Sequence, residues 1–182
     1  MNIILSRLLV ALLMWSPIFA ADPGSFLGVK AKVEGKASYK DEKGSSTGAK
    51  TQSRTLKIEV SNLGREDVAA TKVKWMIFGH TMKDHKLVEL KNGESTVMVP
   101  ARDKVELSSA EAKVTGTREH TVSSRKRSRG KTRTTSKKVQ ASGEEYFGYA
   151  VEVYVSGKLV ASEYSQPSLE KELHPEKETR KH

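Results

Sequence analysis

Residues 123–138 read SSRKRSRGKTRTTSKK, and this run holds the side chains best suited to chemistry in the 182-residue chain. Each Arg offers a planar pair of donors that matches the oxygens of phosphate, sulfate or carboxylate. Each Lys adds a mobile point charge, and the Ser and Thr hydroxyls add neutral donors. Cations at this density repel one another, so the segment must be solvated or matched by anions. The expected anion-binding residues are Arg125, Lys126, Arg127, Arg129, Lys131, Arg133, Lys137 and Lys138. The competing reading is a hairpin tip or insertion kept soluble by its charge. No aromatic residue falls between Arg118 and Lys138, so base stacking has no local platform. If nucleic acid binds, it does so through backbone charge with a steep salt dependence. The sequence does not choose nucleic acid over other polyanions.

Other chemistry is poorly represented. His80 and His85 lie in FGHTMKDH with Asp84 between them. A metal site needs convergent imidazoles and carboxylates; a spacing of five along a strand points side chains to opposite sides, though a loop could bring them together. His120 and Glu119 are distant partners at best, and no metal site is assigned. There is no G-x-S-x-G, no H-E-x-x-H and no S-x-x-K with a fitting partner motif. Glu144 and Glu145 are adjacent, so on a strand they cannot flank one glycosidic bond. Gly64, Gly79 and Gly93 form no phosphate-binding fingerprint and read as turn residues. No catalytic residue and no cofactor are expected, and an enzyme or metal protein ranks below every binding role.

The charge is also unevenly placed. The chain carries a net +10, and nine bases against one acid, Glu119, lie between Arg118 and Lys138. The rest is near neutral, which describes a domain bearing one basic segment. At the N-terminus, Arg7 precedes the apolar run Leu8–Trp15, then Ser16, Pro17 and the small residues Ala20 and Ala21. That order predicts a secretory signal over residues 1–20, with an uncleaved anchor as the alternative. The run is shorter than the roughly 20 residues that span a bilayer, and no second one follows. The expected location is therefore periplasmic or extracellular, with no transmembrane segment in the mature chain. Zero cysteines exclude a disulfide framework, cysteine zinc sites, a lipid-modified cysteine and a thiol nucleophile.

Period-two alternation dominates the chain from Val29 onward. Val29 to Tyr39 alternates with Lys and Glu, and Gly35 suggests a bulge. Asp41–Gly48 reads as a loop. Leu56, Ile58 and Val60 share one face of a second strand, followed by a turn over Asn62–Asp67. Val73, Trp75 and Ile77 share a face of a third, while Met76 and Phe78 make its other face apolar, as if that end were covered on both sides. Lys86–Leu90 and Ser95–Val99 flank Asn92-Gly93, a hairpin signal. Lys104–Ser108 is a further strand, and Glu111–Val122 a strand leading into a projecting hairpin. In Tyr146–Val155, Phe147, Tyr149, Val151, Val153 and Val155 form one face. Tyr146, Gly148, Ala150, Glu152 and Tyr154 form the other. Lys158–Tyr164 returns, Pro167–Leu173 suits a short helix, and a polar, disordered tail is expected from His174.

Many short strands without a long amphipathic helix predict an all-β sandwich. The layout resembles an immunoglobulin or fibronectin type III domain over Val29 to Tyr164. Trp75 stands where such folds often place a core Trp. Tyr149-Ala150-Val151-Glu152-Val153 resembles their penultimate strand, with Tyr149 as a corner tyrosine and Val151 where antibody-type domains have a cysteine. The basic insertion departs from the usual compact domain. Chains of this kind are similar to exported sandwich proteins of bacteria. The resemblance implies an immunoglobulin-like β-sandwich over 26–166 with a basic insertion at 118–138 and a short helix and tail over 167–182. It implies no activity. The expected function is a non-catalytic exported binding or scaffold module that contacts an anionic polymer or envelope surface. The alternative is an interaction module that meets another envelope protein through a sheet edge or a Tyr146/Tyr154 face.

Overall fold

The computed structural model describes residues 26–40, 49–128 and 131–175; the expected signal, the Asp41–Gly48 loop, Arg129 and the tail from residue 176 lie outside them. The described chain is nearly all β. Its strands are β1 (Leu27–Lys40), β2 (Ala49–Asn62), β3 (Val68–Thr81), β4 (Leu87–Val99), β5 (Lys104–Ser108), β6 (Ala112–Thr117), β7 (His120–Ser128), β8 (Lys131–Val139), β9 (Ser142–Val155) and β10 (Lys158–Tyr164), followed by one helix, α1 (Pro167–Leu173). All strand pairings are antiparallel.

One layer is built on β2. Its first half pairs with β6 and its second half with β5, while β1 runs along its other edge. Ser109 bridges the gap between β5 and β6. Leu56 N donates to Ser109 Oγ at 2.8 Å, and Ser109 N donates to the Leu56 carbonyl at 2.9 Å. The other layer runs β10-β9-β3-β4, and the start of β9 reaches across to pair with β6. Alternation explains the core between the layers. Leu56, Ile58 and Val60 from one layer meet Val73, Trp75, Ile77, Tyr149, Val151 and Val153 from the other, all buried. At about 1.5–3 kcal/mol for each fully buried Val, Leu or Ile, this cluster is the main stabilising term in a chain without disulfides. The layers are also stitched at one side. Ala31 N of β1 donates to Glu163 Oε2 of β10 at 2.7 Å. The Tyr149 hydroxyl lies 2.8 Å from the Ala31 carbonyl and 2.9 Å from Glu163 Oε1, two acceptors for one proton.

The outer face of β3 and β9 is covered as well. Phe78 and Ala150 are buried there under Leu169 of α1, with Met76, Phe147, Tyr164 and Leu173 around them. This accounts for the apolar residues on both faces at the end of β3. It also corrects two placements. The alternation in β9 assigns Phe147 to the inner face and Tyr146 to the outer. In the register, Gly148 pairs with Phe78 but Tyr146 pairs with Gly79, so Phe147 is the extra residue of a bulge. The bulge turns Phe147 outward and sends Tyr146 into the inner core. Tyr146 and Tyr154 therefore share no face.

Asn92-Gly93 is not a turn. β4 runs unbroken through it, and Gly93 pairs with Trp75. The indole lies over the glycine, so that a Cβ at Gly93 would stand 2.7 Å from Trp75 Cε2. Glycine is there to seat a ring, a role that strand glycines fill as readily as turns. Gly35 likewise pairs with Arg54 in unbroken register, without the expected bulge. Replacing Gly93 with Val is expected to lower the unfolding free energy by about 1–3 kcal/mol through overpacking. Urea unfolding followed by Trp fluorescence measures this, and an unshifted midpoint would mean that the ring is not confined.

Candidate functional site

The basic segment is a two-stranded ribbon. β7 and β8 pair with each other from His120↔Val139 to Ser128↔Lys131 and belong to neither layer. Strands of nine residues reach about 30 Å at 3.3 Å per residue. Side chains directly opposite share a face. Arg125 and Arg127 lie with Thr134, Thr132 and, toward the root, Lys138. Lys126, Arg133 and Lys137 lie on the reverse. Residues 121–127 and 132–138 are all exposed. Lys126 stands directly across from Arg133, a like-charge pairing that destabilises a ribbon unless solvent or an anion answers it. Among the described residues, the ion pair recorded on the ribbon is Lys138 Nζ with Glu119 Oε1 at 2.8 Å, near its root. The structure thus brings Arg125, Lys126, Arg127, Arg133, Lys137 and Lys138 together on one projecting element. Lys131 holds a backbone position in β8, and Arg129 lies outside the described residues.

Small residues fasten the ribbon to the body. Gly116 pairs with Gly143 and Thr117 with Ser142, and Met82 N donates to the Gly143 carbonyl at 2.9 Å. Gly143 has φ +83°, and the Thr115 carbonyl occupies the space a Cβ would need. Only glycine fits this crossing of chains. Beside the root, a cavity of about 360 Å³ is lined by His80, His85, Arg118, Glu119, Glu145 and Tyr146, among others. His80 and His85 do reach one cavity, but His80 stacks on Phe147 with centroids 4.0 Å apart. Glu145 is engaged by Lys50 Nζ at 3.0 Å. Among the described residues, no group of three or more His, Asp or Glu is placed to hold a metal ion.

A second polar cluster has no counterpart in the sequence analysis. Glu152, placed by alternation on the outer face of β9, is only 4% exposed. Its Oε2 accepts from the Tyr154 hydroxyl at 2.6 Å, and its Oε1 accepts from the Tyr164 hydroxyl at 2.8 Å. His174 Nε2 lies 2.6 Å from Oε1. His174, the expected start of a disordered tail, is instead tied to the sheet just past α1. Burial alone would raise the Glu152 carboxyl, but the bonds from Tyr154, His174 and Tyr164 prevail and hold it below its ordinary value. The Tyr154 hydroxyl is pushed up to about 12, first by burial and then by its bond to Glu152. The only sequence signal was Glu152 lying in an otherwise apolar strand, with Tyr154, Tyr164 and His174 close by in the chain.

No protein-family model matches the chain, and no curated protein matches it. Among solved structures, the chain is similar to the X-ray structure of Northeast Structural Genomics Consortium target SoR45, at 14% identity and a TM-score of 0.36, covering 81% of this chain and 92% of that one. Among the described residues, no helix is long and apolar enough to cross a membrane.

The Glu152 cluster predicts a specific acid response. Because the folded carboxyl is held low, its stabilisation is complete above the ordinary value of 4.5 and is lost as pH falls through the lowered folded value. Glu152→Gln is expected to cost about 1.5–3 kcal/mol at neutral pH, the range for hydrogen bonds to a charged group. It should also flatten the stability-versus-pH curve below 4.5. Urea midpoints for both proteins across that range test this; parallel curves would show that the carboxylate does not drive the acid response.

Proposed function

We propose that this chain is a non-catalytic exported binding or scaffold module, an immunoglobulin-like β-sandwich that presents a basic ribbon to anionic polymers or surfaces. The observation that carries the reading is the ribbon itself. Six described cations project from the body on an element with no apolar core of its own, and Lys126 and Arg133 are directly opposed. Such a segment contributes nothing to the core, whereas an anion answers its internal repulsion. The two apposed antiparallel layers and the core position of Trp75 support the immunoglobulin-like architecture. Tyr149 supports it less, because its hydroxyl reaches across to β1 instead of back along its own corner. Export rests on the charge–apolar–small order of residues 1–21. An interaction face made from Tyr146 and Tyr154 gains no support, since the bulge separates them.

A heparin column tests the reading. The purified protein should be retained and elute late in a salt gradient. A variant with Arg125, Lys126, Arg127, Arg133, Lys137 and Lys138 changed to Gln should run near the void at low salt. If the two elute together, the ribbon is not the anion-binding element.

A further inference from the structure

The register divides the ribbon's six cations with described side chains evenly between two opposite faces. Arg125, Arg127 and Lys138 lie on one, and Lys126, Arg133 and Lys137 on the other. All six are exposed. A membrane surface is close to planar, so a ribbon lying on it can apply only one face at a time. Insertion into the headgroup layer would let lipid reach both faces, but interfacial segments hold that position with a strip of large apolar residues. The described side chains from 121 to 127 and from 132 to 138 include one, Val122, which is 40% exposed and lies beside Lys137. Thr132, Thr134, Thr135 and Ser136 fill the remaining positions from 132 to 138, and Val139 lies at the root opposite His120. The Thr and Ser hydroxyls can donate to anionic oxygens on either face but give no purchase in lipid.

Resting on the anion-binding reading above, we infer that the ribbon's ligand is a chain-like polyanion bearing phosphate or sulfate groups, which folds around the ribbon and contacts both faces at once. On one face Arg125 and Arg127 follow one another at an interval of two residues along β7, or about 7 Å; on the other Lys126 and Arg133 stand side by side and Lys137 lies four residues further along β8. A flexible polymer can place anionic groups at these spacings without distortion. The lack of Phe, Tyr and Trp among the described ribbon residues makes the contact one of backbone charge, indifferent to whatever the polymer carries between its anionic groups.

The test uses two triple variants that divide the ribbon by face, and the sixfold variant that combines them. One carries Arg125→Gln, Arg127→Gln and Lys138→Gln; the other carries Lys126→Gln, Arg133→Gln and Lys137→Gln. Binding to oligothymidylate, to heparin and to phosphatidylglycerol vesicles is measured against salt. Six contacts to a single-stranded phosphodiester chain give a log–log slope of about −4. Each triple variant should keep roughly half of that slope, the sixfold variant should lose binding, and the polymers should bind more tightly than the vesicles. Oligothymidylate against heparin then separates a phosphodiester ligand from a sulfated one. If one triple variant abolishes binding while the other leaves it intact, contact is one-sided, and the two-faced polymer is overturned although the ribbon still binds anions. Tighter binding to vesicles than to either polymer also overturns it. Undiminished binding by the sixfold variant overturns the anion-binding reading itself. Urea midpoints of the three variants should not fall appreciably below the parent's, because none of the six side chains belongs to the apolar core and the lost Lys138–Glu119 pair is an exposed one.

Discussion

The bulge where β9 pairs with β3 at Phe78–Gly79 is the constraint on which the rest of the structure depends. Both neighbours of β3 carry an extra residue at this point, Leu90 on β4 and Phe147 on β9. Gly79 leaves the room, since a Cβ there would meet the Glu145 carbonyl at 2.7 Å and Leu90 Cδ1 at 2.9 Å. Displacing one residue on each side lets a single sheet serve two apolar layers. Val151, Val153 and Tyr149 fill the interior, while Phe78, Phe147 and Ala150 make a seat for α1. Beyond the bulge β9 stays on β3 through Glu144, and its first residues, Ser142 and Gly143, pair with β6 where the ribbon departs.

The seat for α1 combines an apolar contact with a charged one. Leu169 is 1% exposed over Phe78 and Ala150, and His174 closes the far end on Glu152. A helix of seven residues has little intrinsic stability, so its docking depends on these two contacts. An ionised carboxylate this deeply buried is costly unless its lone pairs are filled. Two tyrosine hydroxyls and an imidazole fill them, and among the described residues no buried side-chain polar atom lacks a hydrogen-bond partner.

Much of this was legible because alternation is a local property. Leu56, Ile58, Val60, Val73, Trp75 and Ile77 lie on the inner face as their spacing requires, and Lys104–Ser108 and Pro167–Leu173 form the elements read from them. What failed to show depends on contacts distant in sequence. A bulge is invisible in β9 alone, because it is a mismatch between β9 and β3. Gly93 resembles a turn glycine until Trp75 is known to lie across it. Glu152 resembles a solvent-facing residue until α1 and His174 fold back over it. The ribbon was legible as charge and as a projecting hairpin, but the division of that charge between two faces required the cross-strand register.

The attachment of the ribbon also has a mechanical side. A ligand held near the tip acts on a lever about 30 Å long, whose fulcrum is the short ladder Gly116↔Gly143 and Thr117↔Ser142. Only two residues on each side, Arg118-Glu119 and Gln140-Ala141, separate the ribbon from that ladder. A pull on the ribbon would be passed to β6 and β9, and through β9 to β3, its paired neighbour in the body. A taut polymer would therefore load the fold through this two-pair ladder, and the root, with two glycines, is where the structure would yield first.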